Sequence, residues 1–260
     1  MTQNGKVDRF KQRVDFERAI ANEDTEKVVN AVWPNMLKAP GLDGSKWKIA
    51  AESMWSAPGG VAKEWTLRNT KEQVAIVLFV ASSGNAPAQD FLVSRATENM
   101  MRESPFGKVA VELGTLAVGM PPEAPTNLIW VFRNTCFDVR IDNSQVNVLG
   151  IAQWLQSWAL ENIIDKVELP PLPIKLIASK RKASIAERVE IETKLPAGTD
   201  SARYWMDLKF DKESIEIVNL DGLSAVVAGV RAGPTSIEAL LVDTATLQSK
   251  SQQIELEIQP

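Results

Sequence analysis

The 260-residue sequence contains no histidine. That single absence excludes Ser-His-Asp and Cys-His catalysis, histidine-based zinc sites and the usual imidazole proton shuttle. Cysteine is almost as scarce. With one copy, Cys136, neither an internal disulfide nor a thiolate metal cluster can form. Its setting in "VFRNTCFDVRI" predicts a small buried hydrophobe on a strand. No apolar run approaches the ~18 residues needed to span a bilayer, so no transmembrane segment is expected. The opening "MTQNGKVDRFKQRVDFERAI" is charged throughout and lacks the apolar core of a signal peptide. Neither GxxxxGK[ST] nor GxGxxG occurs, so no phosphate-cradling loop is expected, and the sequence implies no cofactor and no metal. Positive charge is not in excess either. Lys and Arg number 29 against 33 Asp and Glu, a net charge of −4, which argues against nucleic acid as a partner. The only dense basic stretch, "SKRK" from Ser179 to Lys182, reads as a strand end or turn.

What remains is an ordinary globular composition, 45% hydrophobic and 24% charged, long enough for one large domain or two ordinary ones. The clearest boundary is "VELPPLPIKL". Prolines at Pro170, Pro171 and Pro173 stop a helix, favour extended chain and stiffen the connection. It predicts a first domain over 1–168 and a second over 173–260.

Periodicity makes the first domain α+β, an antiparallel sheet with helices on one face. Phe10 to Ile20 reads as a helix, and "DTEKVVNAVW" as another with Asp24 or Thr25 as its cap. Ala39 to Gly60, rich in Gly, Pro, Ser and Trp, reads as a long ordered loop around short helical pieces. "QVAIVLFVASS" is apolar on both faces and should be central in the sheet, and "APAQDFLVSRATENMMRES" should be a helix with Pro87 in its first turn. "VNVLGIAQWLQSWALENII" carries a continuous apolar stripe through Val148, Ile151, Ala152, Leu155 and Ala159, with Trp154 and Trp158 on one flank.

After the prolines only strand periods occur. Seven candidates, "PIKLIAS", "ERVEIETKL", "ARYWMDLKF", "SIEIVNL", "LSAVVAGV", "TSIEALLV" and "QIELEI", predict an all-β sandwich with Trp205 as a core anchor. Within "LDGLSAVVAGVRAGPTSIEALLVD", Gly229, Gly233, Thr235, Ile237 and Ala239 form a "G-v-x-x-G" turn followed by "t-x-I-x-A". This stretch resembles the bacterial immunoglobulin-like (Big-type) domains of surface proteins, secreted enzymes and phage virions. The resemblance covers roughly the last ninety residues. It implies an immunoglobulin-like fold and a modular setting, extracytoplasmic or virion-associated, and implies no catalysis.

Catalytic patterns are sparse. "SKWK" satisfies S-x-x-K with Ser45 and Lys48 but has no K-T-G partner, and the 33 acidic residues single out no pair. Asp211, Asp221 and Asp243 lie near strand ends without EF-hand spacing and read as turn caps. Tryptophan is the one enriched candidate: eight copies against a single Tyr, four of them (Trp33, Trp47, Trp55, Trp65) in the loop-rich segment. An indole offers a large, stiff contact area, so Trp47 and Trp55, with Lys46 and Lys48 beside the first, are the candidate partner-binding residues. The sequence therefore points to a non-catalytic binding or assembly protein, a bacterial envelope, secreted or virion-type structural component, with a protein partner, a larger assembly or its own copies as ligand. The alternative is a hydrolase using carboxylates or the Ser45–Lys48 pair, with an accessory immunoglobulin-like domain. If the proline cluster is a true boundary, limited proteolysis should cut there and release a stable all-β fragment of about ninety residues. Stability of the uncut chain alone would oppose it.

Overall fold

A computed structural model describes all residues except 1–2, 22, 31–32, 82–83, 99–102, 143–145, 166–174, 202–203 and 244–248. The chain is predominantly β, with several antiparallel sheets and few helices. It divides into two compact units, residues 1–167 and 168–260. The predicted hinge from Pro170 to Pro173 lies outside the described residues.

The first unit runs α1 (Gln3–Arg13), α2 (Phe16–Ile20), β1 (Lys27–Val29), β2 (Lys48–Ala57), β3 (Gly60–Arg68), β4 (Gln73–Ala81), α3 (Ala86–Thr97), β5 (Gly107–Lys108), β6 (Leu116–Met120), β7 (Asn127–Phe132), β8 (Thr135–Ile141), α4 (Val148–Glu161) and β9 (Ile163–Asp165). Seven strands form one antiparallel sheet in the order β2-β3-β4-β8-β7-β6-β5, while β1 pairs with β9. The doubly apolar β4 lies inside the sheet, as its pattern predicts.

Strand alternation sends two sets of side chains to opposite faces. On one face Phe79, Val77, Cys136 and Val131 join Leu92, Val93 and Ala96 of α3 and Phe10 of α1 in a single core. On the other, Trp130 stacks on Phe137 at 4.7 Å, Trp158 of α4 meets Phe137 edge-on, and the Trp130 indole N–H donates to Gln156 Oε1 at 3.1 Å. Helices therefore cover both faces of the sheet, not one.

Three further expectations change. The segment from Phe10 to Ile20 is two helices, broken where Asp15 takes a left-handed conformation (φ 54°). The expected helix from Asp24 starts instead with a side-chain turn, Glu26 N–H to Asp24 Oδ1, and enters strand β1. There the Asn134 side chain accepts from Val29 N–H at 2.7 Å and donates to its carbonyl at 3.3 Å, giving this short stretch extended partners that a helix would forfeit. The presumed loop from Ala39 to Gly60 holds the ten-residue strand β2, and "APGG" is its hairpin turn into β3.

The second unit contains β10 (Lys175–Ala178), β11 (Lys182–Ser184), β12 (Arg188–Lys194), β13 (Tyr204–Phe210), β14 (Ile215–Asp221), β15 (Ser224–Gly229), β16 (Gly233–Asp243) and β17 (Ser249–Gln259). All seven predicted strands are present. The eighth, β11, begins at the last residue of "SKRK", where Lys180 pairs with Glu187, and Lys182 with Glu257 of β17 at 2.8 Å. Two four-stranded sheets, β10-β12-β15-β14 and β11-β17-β16-β13, close on one core that includes Val189, Ile191, Ala225 and Val227 from the first and Met206, Leu208, Ile237 and Leu241 from the second. The two motif glycines serve different ends. Gly233 has φ +138°, which L side chains rarely adopt, whereas a Cβ on Gly229 would stand 2.5 Å from Ile258.

Trp205 is not the core anchor. Core positions on β13 go to Met206 and Leu208, with Tyr204 and Phe210 packed at the margin, so Trp205 has the opposite parity and is only half-buried. A register displaced by one residue reverses every side chain. Met206→Ala should therefore cost about 2–5 kcal/mol, the range for emptying a core position, and Trp205→Ala about 1 kcal/mol. Denaturant unfolding of the full chain checks this, and the reverse ranking would contradict the register.

Candidate functional site

Helix α3 covers the sheet over β4, β8 and β7, leaving part of the same face on β2 and β3 open beside it. Between them runs a groove of about 400 Å³. Trp55 and Pro58 line it from the β2–β3 hairpin, Asp90, Phe91 and Arg95 from α3, and Glu98 from the C-cap of that helix. Trp55 pairs with Ala62 and Ser53 with Glu64. Glu64 therefore shares the face of Trp55, two pairs along.

Each wall is fixed by local chemistry. The hairpin turns through Gly59 at φ +77°, where a Cβ would stand 2.6 Å from the Pro87 ring. The turn thus sits directly against the first turn of α3. Phe91 is stacked on Phe79 of β4, ring centres 4.4 Å apart and planes 8° from parallel. Trp55 is half-buried against the same core, which keeps one part of the indole packed and the rest available.

The polar element is built from behind. Arg95 donates through Nε (3.0 Å) and Nη2 (2.7 Å) to Oδ2 of Asp138, a β8 carboxylate whose side chain is 2% exposed. Its Nη1 bonds Glu98 at 3.2 Å, and Arg140 Nε stands 3.4 Å from the same Asp138 oxygen. Burial works against the Arg95 cation, but Asp138 and then Glu98 and Glu64 outweigh it, and the guanidinium pKa is raised. Asp138 Oδ1 has no hydrogen-bond partner. Cys136, next but one on the strand, is fully buried, and burial first and the Asp138 charge second push its thiol well above the usual range. It is a core side chain, not a nucleophile.

The structure separates the predicted site residues. Trp47 is buried, at 6% exposure, so its indole is not an exposed anchor. It closes a turn in which its N–H donates to the Asp43 carbonyl at 3.0 Å, immediately ahead of β2. Lys46 and Lys48 are exposed around this turn, away from the groove lining. Ser45 is held by Asp43 through both hydroxyl and backbone N–H, which lowers the Asp43 carboxyl pKa. Trp33 and Trp65 meet edge-on at 5.7 Å under the Lys63 ammonium, which Glu52 holds at 2.9 Å. Only Trp55 reaches the groove. Asp211 is a turn cap, accepting from Ser214 Oγ and Glu213 N–H, and no cluster of three potential metal ligands occurs among the described residues. The sequence missed Phe91, Arg95 and Asp138, and the Pro87 signal placed only the start of the helix that carries the first two.

Chemically, the groove offers ring surface and carboxylates around a guanidinium bonded to Asp138 and Glu98. Asp90 stands on α3, and Glu98 is the extended residue that caps its C-terminus. Arg95→Met should strand the Asp138 charge and cost about 3–5 kcal/mol, while adding Asp138→Leu should restore most of it. A double variant no more stable than the single one in denaturant titration would mean that the ion pair does not organise this face.

No protein-family model matches the chain, and no curated protein sequence matches it. Among solved structures it is similar to a polysaccharide lyase at 8% identity, with 82% of this chain and 36% of that one covered and a TM-score of 0.24. The chain thus spans about a third of that protein's length, and a similarity at this level carries no argument about activity.

Proposed function

We propose that this chain is a non-catalytic binding or assembly protein, whose first unit receives a protein partner in the Trp55 groove. The observation that carries the reading is the groove itself: half-buried Trp55 and Phe91 rings flank Arg95, whose bonds to Asp138 and Glu98 leave it anchored before any ligand arrives. Rigid aromatic surface around a pre-formed polar group is the composition of a binding hot spot.

The second unit we infer to be an immunoglobulin-like module. Lettered in chain order, its sheets run A-B-E-D and A′-G-F-C, the strand arrangement of immunoglobulin-type sandwiches. The motif from Gly229 to Ala239 forms the E–F turn and the start of F. With the Big-type resemblance, this favours a structural component of an envelope, secreted or virion assembly.

A photo-crosslinking residue at exposed Ser94 should give one discrete protein adduct in the native source. Trp55→Ala should then weaken that partner by at least ~2 kcal/mol with the melting temperature nearly unchanged. Trp47→Ala should instead destabilise the fold by about 3–5 kcal/mol. Equal affinity with and without Trp55, or hydrolytic turnover abolished by Asp90→Asn or Glu98→Gln, would overturn the proposal.

A further inference from the structure

We propose that the outer edge of β14 is a second, independent interaction site that accepts an extended strand from another protein, one alternating apolar residues with Lys or Arg. β14 ends its sheet, and no strand pairs with its far side among the described residues. Other sheet edges are blunted in familiar ways. β5 has two residues, β1, β9 and β11 three and β10 four, while β2 carries Lys48 and Glu52, the seven-residue β13 carries Lys209, and neither of these two exposes a large apolar side chain. β14 differs. It has seven residues and no Lys, Arg or Pro, and it carries three of the six exposed large hydrophobic side chains among the described residues: Ile217 (37%), Val218 (42%) and Leu220 (44%). A fourth, Val230, adjoins its start through an N–H···O bond to Ser214 at 2.8 Å.

The register shows what such an edge would accept. Ile217 and Leu220 stand opposite Val227 and Ala225, both core residues, so they are the uncovered margin of the core. Glu216 and Asp221 stand opposite Ala228 and Ser224 on the outer face, which continues to Glu190 and Glu192 on β12. These four carboxylates have no ion-pair partner among the described residues, and the only cation in the same rows is Arg188, opposite Ala228. An incoming strand with apolar residues on one face and Lys or Arg on the other would extend the core over Ile217 and Leu220 and neutralise the outer row. Backbone pairing would supply affinity and the two faces specificity. A second copy of this chain fits worse, because pairing β14 with itself sets two acidic rows side by side.

The test titrates a labelled seven-residue peptide, the length of β14, alternating Val and Lys, into the full chain. Saturable binding is expected, weakened about tenfold or more when Glu replaces Lys and when alternate peptide amides are N-methylated. The double variant Glu216→Lys/Asp221→Lys, shown by its melting curve to be folded, should reverse the preference in favour of the Glu peptide. Equal binding of the Lys and Glu peptides, full retention by the N-methylated peptide, or a protein that light scattering shows to be a dimer made monomeric by Leu220→Glu, would each overturn the proposal.

Discussion

Asp138 is a carboxylate on an interior strand of a seven-stranded sheet, flanked by Phe137 and Val139, which point to the opposite face. Taking such an ion out of water costs several kcal/mol even after relaxation. The opposing term comes from Arg95, which reaches down from α3 with two N–H groups, aided by Arg140 two residues along the same strand. An apolar contact of equal area would tolerate α3 sliding along its axis. Two directed bonds to one oxygen do not, so the helix is held at one height above β8. Its first turn is fixed separately by Pro87 against the Gly59 turn. With both points set, how much of β2 and β3 stays uncovered is also set, and the groove is what remains.

The second unit depends more on alternation. Along β12, Val189, Ile191 and Thr193 are buried while Arg188, Glu190, Glu192 and Lys194 are exposed, and the same parity continues into Ala225 and Val227 of β15. At β14 the pattern passes through a bulge between Ile217 and Asn219, which places Val218 outside the pairing and brings Leu220 back to the inner side. The edge therefore keeps an apolar inner row without a further strand to cover it.

How far this was legible in the sequence depended on the range of the interaction involved. The seven predicted strands of the second unit follow from period-two alternation within each segment. Parity was legible too. In "YWMDLKF" one reading buries Trp205, Asp207 and Lys209, and the other buries Tyr204, Met206, Leu208 and Phe210. The second is uniformly apolar and is the one the structure adopts, whereas choosing by the largest side chain picks the wrong face. Strand β2 escaped notice because "KIAAESMWSA" is short of β-branched residues, and it forms through pairing with β3. The groove was beyond local reading. Trp55 and Arg95 are forty positions apart, and Arg95 and Asp138 forty-three. Only the completed sheet brings them together.

Tryptophan enrichment shows why residue type alone does not mark a site. Trp130 is fully buried and satisfies its N–H with Gln156, a residue outside the apolar stripe of α4. Trp33 leaves its indole N–H buried without a partner, an arrangement that costs about 1–3 kcal/mol. The opposing contributions are edge-on contact with Trp65 and the Lys63 ammonium over both rings. These indoles serve the core and the packing of the segment before β2. Trp55 differs by parity: it pairs with Ala62 on the α3 face, while Trp65, three positions further along β3, stands on the other. Sequence neighbours of one residue type thus end on opposite sides of the same sheet, and it is the side shared with Arg95 that brings Trp55 to the groove.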